Sequence, residues 1–296
     1  MSAAIRGNFE LVGPAHAPVV AVLGGISASR HVASTPSNPE PGWWEEFAGP
    51  DKAIDTNRFR ILSIDYRSTR RSDRPLTTYD QALALTSALD EAGIDTLRAI
   101  VGASYGGMVA LTFAAIAPQR VERLVIIGAA HESAPIATAL RILQRRIVEL
   151  GLSTGCGYEG LVIARGLAMT TYSSAEDFSN RFESSSRDDI ADFLSKAGKR
   201  FADRCAPERF LALSESLDRH SVKPEDILVP TTLIAVEEDA LVPISQVREL
   251  AARIAAPCEL FELQSQYGHD TFLHAPALIA PFVARSLELH AVYAHD

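Results

Sequence analysis

Continuous apolar runs alternate with helical spacing along both ends of the chain. Residues 18–24, 59–65, 97–102, 123–128, 228–236 and 259–263 are short, β-rich and largely apolar, which predicts strands; 18–24 is continuously apolar rather than alternating, which predicts burial on both faces. Between them, apolar residues recur at helical spacing over 79–92, 105–117, 245–255 and 276–288, with Gly93 placed to cap the first of these helices. Strand and helix in alternation predict an α/β fold, a mostly parallel sheet with helices on both faces. Residues 132–222 break the rhythm. They carry helical patterns, such as 137–150 and 188–202, and few strand-like runs. The expected division is a core of 1–131 and 223–296 with a helical cap, 132–222, over the C-terminal edge of the sheet, where ligands bind in such folds.

Composition narrows the class. The 296 residues are 47% hydrophobic and 22% charged, ordinary values that exclude a disordered or fibrous chain. A formal net charge of −9 argues against nucleic acid as a partner. Two local basic clusters, Arg67-Ser-Thr-Arg70-Arg71 and Arg145-Arg146, read first as solvated or ion-paired surface and second as phosphate contacts. Cys156, Cys205 and Cys258 have no CxxC spacing, so no disulfide framework is expected. With no apolar leader at the N-terminus and no membrane-length apolar run, the expected compartment is the cytoplasm. No cluster with metal-ligand spacing and no phosphate-cradling loop is visible, so neither a metal nor a bound cofactor is expected.

Candidate chemistry begins at Gly102-Ala103-Ser104-Tyr105-Gly106, a G-x-S-x-G run placed where a predicted strand meets a predicted helix. That context holds a serine hydroxyl exposed on a sharp turn. A serine needs a base and an acid to orient the base, and on this scaffold they follow in the order Ser, Asp or Glu, His. His269 follows the last predicted strand, and Asp239, chosen over Glu237 and Glu238, follows the one before. His31, His131 and His274 compete with His269 but read as structural. The oxyanion donors expected are the backbone N–H of Tyr105 and that of Gly25 or Ile26, after the first predicted strand.

The elbow continues as Ser104-Tyr-Gly-Gly-Met108, which resembles the Ser-Met-Gly-Gly-Met run of the MetX-type homoserine O-acyltransferases, members of the α/β-hydrolase superfamily. Gly42-Trp43-Trp44, Ile54-Asp55-Thr56, Leu143-Gln144-Arg145, Gly160-Leu161 to Arg165, Met169 to Tyr172 and Tyr267-Gly268-His269-Asp270-Thr-Phe-Leu273 resemble further signatures of that family, across nearly the whole chain. The resemblance implies ping-pong transfer of an acyl group from acyl-CoA, the co-substrate, to the hydroxyl of L-homoserine in methionine biosynthesis. It also implies that Asp270 meets the acceptor's ammonium and Arg165 its carboxylate, and that two subunits pair through the cap. The chain is shorter than most members. It has Tyr105 where Met is commoner and Asp65-Tyr-Arg67-Ser-Thr-Arg70-Arg71-Ser72 where the family usually has a Gly-rich stretch. These changes are expected near the acyl pocket, so acetyl and succinyl donors both stay open, with Arg67 or Arg70 as contacts for a succinyl carboxylate or a CoA phosphate. Serine is an alternative acceptor, and an esterase or thioesterase using water is the competing activity. A scaffold without chemistry is a third, weaker reading, because Ser104, Asp239 and His269 stand in the right order.

Overall fold

A computed structural model describes residues 3–69 and 74–289. Arg70, Arg71 and Ser72 therefore lie outside the described residues. The chain opens with an antiparallel pair, β1 (Ala3–Arg6) and β2 (Phe9–Val12), then enters the sheet at β3 (Val19–Leu23). A small parallel pair, β4 (Ala48–Gly49) and β5 (Ile54–Asp55), precedes β6 (Arg60–Ile64). Helix α1 (Thr78–Ala92), β7 (Ala99–Ala103), α2 (Tyr105–Ile116) and β8 (Leu124–Ile127) follow.

Five helices then intervene before the next strand: α3 (Pro135–Ser153), α4 (Gly157–Tyr172), α5 (Ala175–Arg181), α6 (Arg187–Ala202) and α7 (Pro207–Asp218). The chain closes with β9 (Thr231–Val236), α8 (Ile244–Arg253), β10 (Cys258–Leu263), the short α9 (Thr271–His274) and α10 (Pro276–Glu288).

The main sheet runs β1-β2-β6-β3-β7-β8-β9-β10, and every pairing from β6 to β10 is parallel. The β1–β2 pair, antiparallel to β6, is the part that apolar runs did not announce. Alternate residues of each strand face opposite sides, as the pleat requires. Ala21, Leu23, Ile100, Leu124 and Ile126 pack with α1, α2 and α8 on one face. Val20, Val22, Val101, Val125 and Ile127 pack with α10 and the Trp44–Phe47 turn on the other. Both faces are covered, which is why the strands at the centre of the sheet, such as β3, β7 and β8, read as continuous apolar runs. The intervening helices hold a smaller cluster of their own, including Val148, Leu161, Phe201 and Phe210.

The two tryptophans stack on each other with ring centroids 4.9 Å apart, and Trp44 Nε1 donates to Phe272 O at 2.8 Å. Among the described residues, no helix is long and apolar enough to cross a membrane. None of the three cysteines is bonded to another.

Candidate active site

Ser104 sits between β7 and α2 with φ 53° and ψ −120°, a left-handed conformation that a non-glycine residue adopts only when its surroundings impose it. The sequence around it shows how. A Cβ on Gly106 would lie 2.1 Å from Leu23 O, and one on Gly102 would lie 2.5 Å from Gly106 O. Both positions are closed to any side chain, so the backbone crosses β3 closely enough to force the turn.

Ser104 Oγ–H donates to His269 Nε2 at 2.8 Å, and His269 Nδ1–H donates to Asp239 Oδ2 at 2.7 Å. The second oxygen of Asp239 accepts the backbone N–H groups of Leu241 (2.8 Å) and Val242 (2.9 Å). Asp239 is thus fixed by three donors while buried. Burial pulls the His269 pKa down, but the charge and hydrogen bond of Asp239, helped by Asp270, more than offset this and leave it raised. The choice among the three carboxylates is resolved by geometry: Glu238 Oε2 accepts Ser265 N–H and Glu237 Oε2 accepts Gln264 Nε2–H, so neither faces the imidazole. Of the competing histidines, His31 pairs with Glu10 at 3.0 Å, His131 lies 3.7 Å from Glu249, and His274 is half exposed, 3.9 Å from Asp270.

Two peptide groups of the turn after β3 have their carbonyls engaged by other residues. Tyr66 Oη–H donates to Gly24 O at 2.7 Å, and Ala28 N–H to Gly25 O at 2.9 Å. In a trans peptide the N–H points opposite its carbonyl, so the N–H groups of Gly25 and Ile26 turn away from those partners. Gly25, Ile26, Ser104 and Tyr105 line one cavity of about 300 Å³. Tyr105 opens α2, where an N–H has no acceptor within the helix. The Tyr105 ring is a different matter. It is fully buried, its hydroxyl is bonded to Ser216 at 2.7 Å, and Tyr66 packs edge-on against it. That side chain ties α2 to α7.

The same cavity reaches residues of both the sheet's C-terminal edge and the intervening helices, among them Trp43, Gly128, Arg141, Arg165 and Asp270. Asp270 is 9% exposed, and among the described residues its side chain has no hydrogen bond, the His274 ring at 3.9 Å being its recorded ionic neighbour. Burial pushes its carboxyl pKa up, against the pull of His269 and Arg165. Arg165 has no carboxylate within 4.0 Å among the described residues. Its guanidinium lies 4.8 Å from the Tyr172 ring centre and 5.0 Å from that of Phe201, and donates to Tyr172 Oη at 3.0 Å. A buried carboxylate and a half-buried guanidinium therefore line one cavity without an ion pair to each other.

The basic clusters resolve differently. Arg67 does not line the cavity; its backbone is held by Gln81 on both sides of the peptide. Arg67 is thus not among the cations that line the cavity, and Arg70 lies outside the described residues. Arg145 is ion-paired with Asp218 and Arg146 is largely solvated. Arg141 and Arg204, which also line the cavity, were missed in the sequence. Arg141 stands one helical turn before the Gln-Arg pair, and that spacing is the only signal that pointed to it. Among the described residues no group of His, Cys, Asp and Glu could hold a metal.

The α/β-hydrolase-fold family matches residues 18–276. The chain is 41% identical over 277 residues to homoserine O-succinyltransferase of Xanthomonas campestris pv. campestris, covering 91% of this chain and 75% of that protein. The chain belongs to the MetX-type O-acyltransferase family. A second member, serine O-succinyltransferase of Litchfieldella anticariensis, is 32% identical over 316 residues, covering 89% and 86% of the two chains. Among solved structures, homoserine O-acetyltransferase from Bacillus anthracis superposes with a TM-score of 0.85 at 19% identity, covering 96% and 92%, a likeness of fold. This MetX-type protein is an O-acyltransferase, and its Ser104, His269 and Asp239 stand in the order its fold requires.

Proposed function

We propose that this enzyme moves an acyl group from acyl-CoA to the side-chain hydroxyl of L-homoserine through an acyl-Ser104 intermediate. The observation that carries the reading is the pair of charged groups beside the nucleophile. Asp270 is a buried carboxylate without a hydrogen bond, and Arg165 is a half-buried guanidinium without an ion pair among the described residues. Water as acceptor needs neither. An amino acid brings an ammonium for the first and a carboxylate for the second, and so repays the cost of holding both out of water.

Ser104 Oγ attacks the thioester carbonyl while His269 Nε2 takes its proton, and Asp239 stabilises the imidazolium that forms. The N–H groups of Tyr105 and of Gly25 or Ile26 receive the oxyanion. Collapse breaks the C–S bond, and His269 returns the proton to the departing thiolate. The acceptor hydroxyl then gives its proton to His269 and attacks the ester, and Ser104 leaves with that proton. Acyl-CoA is a co-substrate, and no bound cofactor takes part.

The 41% identity with a homoserine O-succinyltransferase supports homoserine as acceptor and succinyl-CoA as donor, in methionine synthesis. Serine as acceptor is the second reading, supported by the 32% identical serine O-succinyltransferase. Pairing of two copies through the intervening helices belongs to the same proposal. Ile136, Leu143 and Leu150 stand seven residues apart on α3 and are each more than half exposed, an apolar stripe suited to a second copy.

The test is CoA thiol release from succinyl-CoA and acetyl-CoA, each with L-homoserine, L-serine or neither. Release dependent on homoserine is expected. Release equally fast into water would make this a hydrolase and remove the roles given to Asp270 and Arg165.

A further inference from the structure

Tyr66 takes no part in the proton transfers above, yet its hydroxyl reaches the turn that carries the proposed oxyanion donors of residues 25 and 26. It stands two residues past β6, is 3% exposed, and donates through Oη to Gly24 O at 2.7 Å. Gly24 O and Gly25 N–H belong to one trans peptide, so a bond to the carbonyl fixes where the N–H points. The next carbonyl, Gly25 O, is held from within the turn by Ala28 N–H at 2.9 Å.

Packing does little to hold this turn at its second glycine. A Cβ on Gly25 would meet none of the described atoms within 4 Å, so the backbone there keeps the freedom of a residue without a side chain. Tyr66, by contrast, is gripped on every side. Its carbonyl accepts Arg209 Nη1–H from α7 at 2.9 Å, and Gln81 of α1 holds both the N–H and the carbonyl of Arg67, the next residue. Its ring meets the Tyr105 ring edge-on, with centroids 4.9 Å apart. A carbonyl can only accept, so the phenol must donate. Burial pushes the Tyr66 hydroxyl well above the usual phenol range, which keeps that proton in place at neutral pH.

We infer that Tyr66 is a positioning residue of the oxyanion hole: its hydroxyl fixes and polarises the Gly24–Gly25 peptide and so sets the turn that presents the Gly25 and Ile26 N–H groups. An N–H whose own carbonyl already accepts a hydrogen bond is the better donor for it. The inference rests on the acyl-Ser104 reading, but not on which acyl group or which acceptor is used. The oxyanion forms twice per turnover on the same acyl carbon, once when Ser104 is loaded and once when it is discharged. Loss of the tether therefore slows both steps, whereas loss of a residue that reads only the acceptor slows one.

The experiment replaces one hydroxyl by hydrogen in Tyr66→Phe, which keeps the ring and its packing. In single-turnover kinetics with succinyl-CoA and homoserine, loading and discharge should each slow by about 10-fold, less than the roughly 10²–10³ lost when an oxyanion donor is deleted outright. The substrate concentrations that half-saturate the two steps should stay within about two-fold, since the tether acts on the transition state. A second readout needs no acyl transfer. Ser104 Oγ adds to the boron of propylboronic acid, its proton passes to His269, and the tetrahedral adduct places an oxygen where the oxyanion forms. Boronate affinity should fall by about 10-fold in Tyr66→Phe. Ser216→Ala cuts the neighbouring hydroxyl pair with Tyr105 without touching the turn, and should leave both readouts within about two-fold of wild type. Should Tyr66→Phe not fold, 3-fluorotyrosine placed at position 66 keeps the ring and the bond with a more acidic hydroxyl, and should tighten boronate binding. Four results would overturn the inference: unchanged rates and boronate affinity in Tyr66→Phe, a loss confined to one half-reaction, a Ser216→Ala enzyme equally impaired, or a fluorotyrosine enzyme that binds the boronate no more tightly. Boronate binding that weakens as expected, with no acceptor-dependent CoA release from any donor, would instead overturn the acyl-transfer reading and leave the positioning role standing.

Discussion

Replacing Asp239 with Asn keeps the shape of the side chain and changes one group, which makes its consequence calculable from the hydrogen bonds. Asp239 accepts three donors: His269 Nδ1–H on one oxygen and the Leu241 and Val242 N–H groups on the other. Asn has one acceptor to divide between them. If its carbonyl faces the imidazole, its NH2 faces two backbone donors at 2.8 and 2.9 Å and leaves both buried and unpaired, at about 1–3 kcal/mol each. If its carbonyl faces the backbone, a single contact is disturbed, and the NH2 then donates to Nδ1. The second orientation wins, and the imidazole proton moves to Nε2, where it meets Ser104 instead of accepting from it. A base in the wrong tautomer costs on the order of 10⁴ in kcat, or about 5 kcal/mol of transition-state stabilisation. Stopped-flow detection of CoA thiol after mixing with succinyl-CoA reads the first half-reaction directly. Glu238→Gln, next in sequence but bonded to Ser265 N–H, should stay within a few-fold of wild type. An Asp239→Asn enzyme with a tenth of normal activity, or a Glu238→Gln enzyme as impaired as it, would refute the assignment.

Asp270→Asn and Arg165→Met should each slow transfer from acyl-Ser104 to homoserine by about 10²-fold more than they slow acylation; single-turnover measurement of the two steps checks this, and equal losses would contradict it. Stability should fall on the acid side because of His220. This ring is 2% exposed and bonded to Thr78 Oγ1 and Ala130 O, and burial lowers its pKa from 6.5 to about 3. Between those values the unfolded chain binds a proton that the folded chain refuses, so stability is complete above pH 6.5 and declines as pH falls towards 3. At pH 5 the loss is 1.5 units, about 2 kcal/mol at 1.36 kcal/mol per unit. His269, raised instead of lowered, contributes below pH 6.5 and loses that contribution as pH rises through its folded value. Urea melts at pH 7 and pH 5 check the acid limb, which His220→Gln should flatten.

The sequence was most legible where one residue type could satisfy a local demand. Largely apolar runs marked β3 and β6 to β10, most continuously in β3, β7 and β8, whose two faces are both covered. The elbow glycines announced Ser104 because no side chain fits at Gly102 or Gly106. The β1–β2 pair was not legible: it consists of four-residue strands at one end of the sheet, too short to show a pattern. Arg141 was not legible either, since its orientation depends on Asp218, 77 residues away on another helix. Nor was it legible that Arg67 stands outside the cavity lining, because its place in the chain does not reveal that Gln81 holds its backbone against α1.

The paired indoles also give the enzyme a built-in optical reporter. The chain has two tryptophans, and both belong to the turn beneath the cavity. Trp43 lines the cavity, and a Cβ on the neighbouring Gly24 would lie 2.8 Å from its ring, so the indole has little room to turn away. Trp44 is anchored to Phe272, three residues past the imidazole. Tryptophan emission from this protein, excited where tyrosine absorbs little, therefore comes from one wall of the cavity. On the acyl-transfer proposal, loading of Ser104 and its discharge should change the brightness and colour of that light in unlabelled enzyme.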